Sequence, residues 1–214
     1  MMNIKEILTE RQKLLKKIHQ LEEMAFFDQL TGLPNRHALA ADLAKLPHGR
    51  GRTKKSRFLG ILLLDIDWFK PINDKFGHLI GDKVLKKAAQ IINTSTHKTL
   101  FRSGDRVYRI GGEEFVVMLL GVSLKGIWLV AEKIRKNIAQ NLVKEFPDIK
   151  KIRSQITVSI GGKTYELAKL QKHKLTIDQL QQKLIAEPDE YLYKAKTSGR
   201  NRIIINSRTS YTSS

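Results

Sequence analysis

Two aspartates stand at the end of an apolar run that has the length of a β-strand. The run from Phe58 to Ile66 is continuous and apolar, which is typical of a buried strand, and it carries Asp65 with Asp67 just beyond. Because side chains alternate across a strand, the two aspartates point to one face and Ile66 to the other. Carboxylates at a strand end suit a hard cation such as Mg²⁺, and the alternative is a pair of solvated acids.

A second pair of acids directly follows a double glycine. Gly111 and Gly112 separate two predicted strands, and Glu113 and Glu114 come next. Glycines suit a tight hairpin turn and let a ligand approach the backbone. If this hairpin pairs beside the first strand, Asp65 and Glu113 converge, and such a carboxylate pair holds one or two Mg²⁺ for phosphoryl or nucleotidyl transfer. An ordinary hairpin with surface acids is the alternative.

The segment after the first strand offers groups that could bind a nucleotide. Phe69 and Lys70 lie where the strand gives way to a helix, so free amides and a lysine could hold phosphate there. Asn73 and Asp82 could together read the edge of guanine, which donates from N1–H and from its amino group. For Asn73 alone, a helix-surface or capping role is the alternative. His78 is interpreted as a helix cap, since no second histidine stands at ligand spacing.

Strands and helices alternate along the chain, with one hairpin in the middle. The predicted strands are 58–66, 107–110, 114–120, 152–161 and 202–205. The predicted helices are 3–25, a helix capped by Asn35 that ends near Leu46, 69–76, 78–97, 124–143 and 176–197. This order predicts a mixed sheet flanked by helices, in the α/β or α+β class. Residues 163–175 are predicted to be a lysine-rich connection and 206–214 a disordered tail.

The first helix, within residues 1–25, carries a heptad-like seam. Its apolar positions are spaced three and four apart, with Arg11 in one slot; they are Ile4, Ile7, Leu14, Ile18, Leu21 and Ala25. This pattern fits a dimerising helix, and the alternative is an amphipathic helix that lies on its own domain.

Composition limits the class of protein and its partners. The 214 residues include no cysteine, which excludes disulfides and thiolate metal sites. No apolar run approaches the ~18–20 residues that span a bilayer, and the N-terminus has no signal-peptide core, so a cytoplasmic location is expected. The net charge of +18 favours anionic partners: nucleotides, nucleic acid or anionic lipid head groups.

A basic loop at 47–57 contributes to this charge. Its cations are Arg50, Arg52, Lys54, Lys55 and Arg57. A solvated loop is the favoured interpretation, because no aromatic residue is interleaved to stack on bases, and a nucleic-acid partner is therefore not expected. Membrane contact would come only through this loop or through a missing N-terminal sensor.

Taken together, these segments resemble the GGDEF-domain diguanylate cyclases. The resemblance covers residues 26–205 and rests on several motifs in the right order and spacing. They are Asp28–Arg36, Asp65–Lys70, Asn73-Asp74, Gly77–Asp82, Arg109–Phe115, Thr157–Gly161, Tyr193–Lys196 and Ser198–Asn201. The hairpin carries the GGEEF form of the family signature.

The resemblance implies a palm-like nucleotidyl cyclase fold with a central mixed five-stranded sheet. It implies that Asp65, the carbonyl of Ile66 and Glu113 hold two Mg²⁺ or Mn²⁺ ions per active site. Glu114 would assist at the metals or at the attacking hydroxyl.

The resemblance also implies the substrate, GTP, and the product, cyclic di-GMP. Asn73 and Asp82 would read guanine. The triphosphate would be held by backbone amides and cations, namely those of Phe69, Lys70, Lys196 and Arg200. Each subunit of a homodimer would bind one GTP, and the 3′-hydroxyl of each would attack the α-phosphate of the other.

Arg102 and Asp105 match the RxxD pattern of the family's inhibitory product site. Arginine can clamp a phosphate and aspartate can accept from guanine, whereas a surface ion pair is the alternative. Lys133 stands where relatives often have an arginine, which would weaken a contact to bound product from a second subunit. Pro188 and Tyr191 replace residues that are usually small, which would affect local packing.

A non-catalytic receptor for GTP or cyclic di-GMP is the alternative function. The acids and amide expected at the site argue against it, because all of them are present: Asp65, Glu113, Glu114, Asn73 and Asp82.

Overall fold

The computed structural model describes residues 4–46, 58–100, 104–151, 156–171, 175–206 and 208–209. The whole basic loop 47–57 and Arg102 therefore lie outside the described residues. The helices are α1 Ile4–Phe26, α2 Arg36–Lys45, α3 Phe69–Phe76, α4 His78–Leu100, α5 Leu124–Glu145, α6 Leu167–Gln171 and α7 Ile177–Thr197, with a 3₁₀ turn at Pro147–Lys151. The strands are β1 Phe58–Ile66, β2 Arg106–Gly111, β3 Glu114–Leu120, β4 Val158–Glu166, β5 Ile203–Ile205 and β6 Arg208–Thr209.

The strands form one mixed sheet in the order β2-β3-β1-β4-β5-β6. All neighbours pair antiparallel except β4 and β5, which are parallel. This confirms the predicted five-stranded mixed sheet and adds an edge strand of two residues. Arg208 and Thr209 pair with β5, so the predicted disordered tail is wrong at these two positions. Asn206 reverses the chain with a left-handed φ of 51°, and two residues are too short to give a periodic signal.

Side chains of β1 alternate between two hydrophobic cores. Leu62, Leu64 and Ile66 pack in the core that contains α3, α4 and α5. Leu59, Ile61 and Leu63 pack in the core that contains α2 and α7. The same alternation turns Asp65 toward α7.

Strand β4 is displaced from its predicted position at 152–161. It begins at Val158 and continues to Glu166, so it takes in the first part of the predicted connection 163–175. The reason is tertiary: β4 pairs with all nine residues of β1, from Phe58 opposite Glu166 to Ile66 opposite Val158. Residues 152–155 lie outside the described residues.

Helix α1 projects from the domain. In its described part, every side chain from Leu8 to Phe26 is exposed, and the seam residues Leu14 and Ile18 are each about half exposed. The alternative of a helix lying on its own domain is therefore wrong. The C-terminal end of α1 is held by Asn35, whose side-chain amide donates to the carbonyl of Ala25. The same side chain caps α2 by accepting from two backbone amides. Across the described ranges, no helix combines the length and the apolarity that a membrane span requires.

Pro188 lies buried inside α7, where its neighbours compensate for its missing N–H. In a regular helix, that N–H would donate to the carbonyl of Leu184. The hydroxyl of Tyr165 donates to this carbonyl instead, at 3.0 Å. The nearby Tyr191 is also buried and donates to Glu187 at 3.3 Å. The two unusual residues in α7 are thus accommodated by specific polar contacts.

We expect Tyr165→Phe to lower the free energy of unfolding by about 1–2 kcal/mol, because it leaves a buried carbonyl without a donor. In a Pro188→Ala background, which restores the helical N–H, the loss should largely disappear. Urea denaturation of the single and double variants measures both values. Tyr193→Phe on the exposed face of the same helix is the control. An equal loss in both backgrounds would mean that Tyr165 acts through packing alone.

Candidate active site

The hairpin lies beside the first strand, which is the condition for the acids to converge. Strands β1 and β3 pair with Asp65 directly opposite Glu114. The N–H of Ile66 donates to the carbonyl of Glu113 at 3.3 Å. Glu114 precedes Val116 by two residues, and Val116 packs in the α2/α7 core, so Glu114 faces the same side as Asp65. Asp65 and Glu114 therefore lie on one face at this end of the sheet, and Glu113 is near enough for its charge to act on Asp65.

Arg109 fixes the hairpin turn, a role that the local sequence did not reveal. Its Nε and Nη2 donate to the carbonyl of Gly112 at 2.9 and 2.8 Å, and its Nη1 donates to both carboxylate oxygens of Asp28 at 2.9 and 3.0 Å. Gly112 has a left-handed φ of 41°, which explains the need for glycine. Burial alone would raise the pKa of Asp28, but hydrogen bonds from Thr31 and Arg109 outweigh burial and hold that pKa below its usual value.

Asp65 is buried and carries an ion pair. Its side chain is 8% exposed, and the Nζ of Lys196 lies 2.7 Å from its Oδ2. Burial raises the pKa of Asp65 to about 6, even though Lys196 lowers it, and the charges of Glu113 and Asp67 raise it further. Lys196, predicted to hold the triphosphate, here neutralises a carboxylate.

The donor chemistry of this edge fits a hard cation, although the acids do not form a compact cluster. Among the residues that the structure describes, no group of three or more His, Asp or Glu side chains is close enough to hold a metal ion. The predicted ligands Asp65, Glu113 and the carbonyl of Ile66 are all oxygen donors, which Mg²⁺ prefers. Glu113 and Glu114 are only half buried and so retain freedom to move toward a cation.

Asp67 does not pair with Asp65 around one cation, because its carboxylate is occupied by donors from the protein. It is 2% exposed and accepts three hydrogen bonds. The hydroxyls of Thr157 and Ser159 donate at 2.7 Å each, and the backbone N–H of Asn201 donates at 3.0 Å. These donors satisfy the carboxylate, so it serves the interior of the protein rather than a metal ion.

The predicted triphosphate-binding groups lie at two turns that touch. Trp68, which precedes α3, has a left-handed φ of 63°, and its side chain makes no capping bond to the first amides of that helix. Lys70 in the first turn is exposed, whereas Phe69 is buried. The guanidinium of Arg200, in the turn after α7, lies 3.9 Å from the centroid of the Trp68 ring. Arg200 is thereby brought next to the start of α3.

Asn73 lies against the first turn of α4, which carries Asp82. Its Oδ1 is buried and accepts no hydrogen bond from the described residues. A Cβ added to Gly81 would lie only 1.8 Å from that oxygen, so glycine makes the space that Asn73 occupies. An unsatisfied buried acceptor is costly unless a ligand supplies the donor, and guanine offers such donors.

The predicted inhibitory site is described only in part. Asp105 is buried, and its Oδ1 accepts from the backbone N–H of Leu120 at 3.0 Å. Lys133 is half exposed on α5, and Arg102 lies outside the described residues. The inhibitory site stays a prediction.

We expect Asp65→Asn to stabilise the metal-free protein at neutral pH by about 1–3 kcal/mol, because asparagine has no charge to desolvate. The pKa of Asp65 in the folded protein is about 6, above its ordinary value of 3.8. The protonated Asp65 side chain therefore contributes fully to stability below the pKa of the unfolded protein, and this contribution is lost as pH rises through about 6. In thermal denaturation with a chelator present, the melting temperature of the variant should increase relative to that of the wild type as pH rises across this range.

Asp189→Asn, at an exposed position on α7, is the control for this effect. It should leave the pH dependence of stability unchanged. Parallel pH profiles for wild type and Asp65→Asn would contradict a raised pKa at Asp65.

Comparison with known proteins identifies a family. The family model described as "Diguanylate cyclase, GGDEF domain" matches residues 25–202. Diguanylate cyclase A of Treponema denticola is 35% identical over 188 residues, which are 87% of this chain and 46% of that protein. Diguanylate cyclase DgcS of Shewanella oneidensis is 36% identical over 185 residues, which are 85% of this chain and 54% of that protein. The chain thus spans about half the length of the curated relatives it matches.

Solved structures agree with the fold. The active GGEEF domain of a diguanylate cyclase from Vibrio cholerae is 30% identical, with a TM-score of 0.62 over 83% of this chain and 99% of that one. The coiled coil and GGDEF domain of DgcB from Caulobacter crescentus, in complex with c-di-GMP, superposes with a TM-score of 0.74 at 23% identity. That match covers 94% of this chain and 96% of the other, and at this identity it supports the fold alone.

Proposed function

Since this chain belongs to the GGDEF family, we propose that it condenses two molecules of GTP into cyclic di-GMP and releases two pyrophosphates. The observation that carries the proposal is the strand register that sets Asp65 opposite Glu114. This register sets the two acids on one face at this end of the sheet, beside turns that offer amides and cations for phosphate. The expected cytoplasmic location stays a prediction.

Asp65, Glu113 and the carbonyl of Ile66 would hold the metal ions of this reaction. Two Mg²⁺ or Mn²⁺ ions, when bound, would lower the pKa of the attacking 3′-hydroxyl and offset charge that grows on the phosphate. Glu114 would assist at the metals or at that hydroxyl. With a metal ion bound at Asp65, the ion pair between Asp65 and Lys196 would no longer be needed. Lys196 would then contact a phosphate oxygen instead.

The remaining residues would bind and orient GTP. Asn73 and Asp82 would accept from the guanine edge, in keeping with the unsatisfied buried oxygen of Asn73. Arg200, Lys70 and the amide of Phe69 would hold the triphosphate at the start of α3, where backbone N–H groups and the helix dipole favour anions.

The reaction requires two subunits, because each GTP supplies the hydroxyl that attacks the other. The exposed seam of α1 supports a homodimer formed through this helix, since apolar side chains such as Leu14, Ile18 and Leu21 would be covered by a second copy.

We expect removal of residues 1–24 to lower activity per chain by about tenfold at low protein concentration, because the second subunit is no longer held nearby. Raising the concentration should restore part of the activity. Initial rates over a concentration series, with sedimentation to follow the dimer, measure both effects. Equal specific activity at all concentrations would show that α1 does not set the dimer.

Product inhibition through Arg102 and Asp105 is a further part of the proposal. Since Lys133 lacks the planar fork of arginine, a contact to bound product from a second subunit would be weaker than in relatives with arginine there.

The test is incubation of the purified chain with GTP and Mg²⁺, followed by chromatography and mass identification of products. Cyclic di-GMP with pyrophosphate would support the proposal. No product from either wild type or Arg102→Ala would overturn it and favour a receptor for GTP or cyclic di-GMP. Product from Arg102→Ala alone would mean that the wild type is purified in an inhibited form.

A further inference from the structure

The buried carboxylate of Asp67 ties the strand end to the turn that carries Arg200. We propose that Asp67 is a positioning residue that holds the two halves of the phosphate-binding edge against each other. The proposal rests on the proposed function, since it concerns how the triphosphate site is kept in shape. It assigns no contact with substrate to Asp67, which at 2% exposure is closed to ligands.

Asp67 is anchored from several directions. Its own N–H donates to the carbonyl of Thr157 at 2.9 Å. The hydroxyls of Thr157 and Ser159 donate to its two oxygens, which fixes the plane of the carboxylate. The position of Oδ2 is thus set by β1 and by the residues at the start of β4, before any contact with α7 or its turn.

The turn after α7 needs an anchor because its backbone is strained. Arg200 and Asn201 are successive non-glycine residues with left-handed φ values of 61° and 47°. This conformation is unfavourable for most L-residues, although asparagine tolerates it best, and it persists at Arg200 where neighbours hold it. The N–H of Asn201 donates to Oδ2 of Asp67 at 3.0 Å, and its side-chain oxygen accepts from Arg135 at 2.8 Å.

Two adjacent pairs of residues are joined by these contacts. Asp67 directly precedes Trp68, and Asn201 directly follows Arg200. The hydrogen bond between Asp67 and Asn201 therefore aligns these two segments of the chain, so that Arg200 stacks on the ring of Trp68 at 3.9 Å. Trp68 leads into the amides of α3, so this alignment places the arginine and the helix start on one side of a bound triphosphate.

The first measurement is the exposure of Trp68, which needs no turnover. Trp68 and Trp128 are the two tryptophans of the chain, so a Trp128→Phe background isolates the signal of Trp68. In Asp67→Ala, the constant for acrylamide quenching should rise about twofold, because the guanidinium no longer covers one face of the ring. Arg200→Ala should give the same rise, and the double variant should add little to either.

The second measurement is the kinetics with GTP. Asp67→Ala should raise KM about tenfold and change kcat less, because it misplaces a binding group and leaves the acids at Asp65 and Glu113 intact. Asp67→Asn should restore most of the loss. Its amide oxygen can accept from Thr157 and Asn201, while its NH₂ donates to the hydroxyl of Ser159.

Asp42→Ala separates positioning from general instability. Asp42 on α2 accepts from Tyr108 at 2.8 Å in a partly buried contact and from Arg106 at 2.6 Å in an exposed one, so its loss also removes polar contacts. This variant should lower the melting temperature and leave both Trp68 quenching and KM unchanged. If it moves them as far as Asp67→Ala does, the proposal is overturned.

Hydrogen exchange in the unmutated protein covers the case in which Asp67→Ala does not fold. The amide of Asn201 should be strongly protected because it is bonded to a buried carboxylate. Exchange at the rate of an exposed turn would overturn the proposal, as would wild-type quenching and KM in Asp67→Ala. Protection and altered quenching in a chain that makes no cyclic di-GMP would leave Asp67 as the anchor and reject the proposed activity.

Discussion

The Glu113→Gln variant is expected to fold normally and to lose about a thousandfold or more of its cyclase activity. Glutamine keeps the size of glutamate and one carbonyl oxygen, but it lacks the negative charge that a divalent cation requires. Such electrostatic contributions at a transferring phosphate are worth several kcal/mol, and about 4 kcal/mol corresponds to a thousandfold in rate. The side chain is half exposed, so its replacement should not disturb the core.

Initial rates of cyclic di-GMP formation measure this loss, and circular dichroism with thermal denaturation verifies the fold. The matched control is Glu190→Gln, which removes an exposed glutamate that pairs with Lys194 on the outer face of α7. It should retain full activity. Isothermal titration with Mn²⁺ adds a readout that does not depend on turnover, and metal affinity should fall in Glu113→Gln alone.

Unchanged product formation by Glu113→Gln would show that the metal site is elsewhere. Loss of activity with unchanged Mn²⁺ affinity would instead assign Glu113 to the attacking hydroxyl, with Asp65 and Glu114 as the ligands. The register that pairs Asp65 with Glu114 makes that second arrangement a specific alternative.

The sequence predicted best those features that depend on neighbouring residues. The bounds of β1 and α3 and the cap at Asn35 were confirmed, because each follows from apolar periodicity or from a capping residue. The approach of the hairpin to β1 was stated as a condition, and strand pairing met it. The roles of the acids remain predictions, since strand pairing gives proximity and not chemistry.

Contacts between distant residues were beyond the reach of local patterns. Arg109 bonds to Asp28, 81 positions away, and Asp67 bonds to Asn201, 134 positions away. Both members of each pair lie in family motifs, yet the spacing gave no sign that they meet. For the same reason, the alternation along β1 groups Asp67 with Asp65 and gives no sign of its hydroxyl donors, which come from β4 and the residue before it.

Gly81→Ala is expected to raise KM for GTP by about 30-fold while the domain stays folded. The new methyl group would lie 1.8 Å from Oδ1 of Asn73 and 2.9 Å from its Cγ, so the amide must rotate away. The obstacles are side chains rather than backbone, with Cζ of Phe69 next at 3.2 Å. Alanine favours the helix over glycine by about 1 kcal/mol, so stability should be kept. The loss of one or two hydrogen bonds to guanine accounts for the change in affinity.

Gly161→Ala is the informative contrast, because there the methyl group would meet backbone atoms, 2.0 Å from the carbonyl oxygen of Pro188 and 2.3 Å from the nitrogen of Leu192. Helix α7 cannot move away from β4 without opening the core, so this variant should unfold at a markedly lower temperature.

Gly81→Ala should instead match Asn73→Ala in KM, and the double variant should be no worse than either, since both remove the same amide from the site. The preference of Gly81→Ala for GTP over ITP, which lacks the 2-amino group, should also decrease. A Gly81→Ala protein with wild-type KM and wild-type preference would mean that Asn73 does not read the base, and the unsatisfied oxygen would then need another partner.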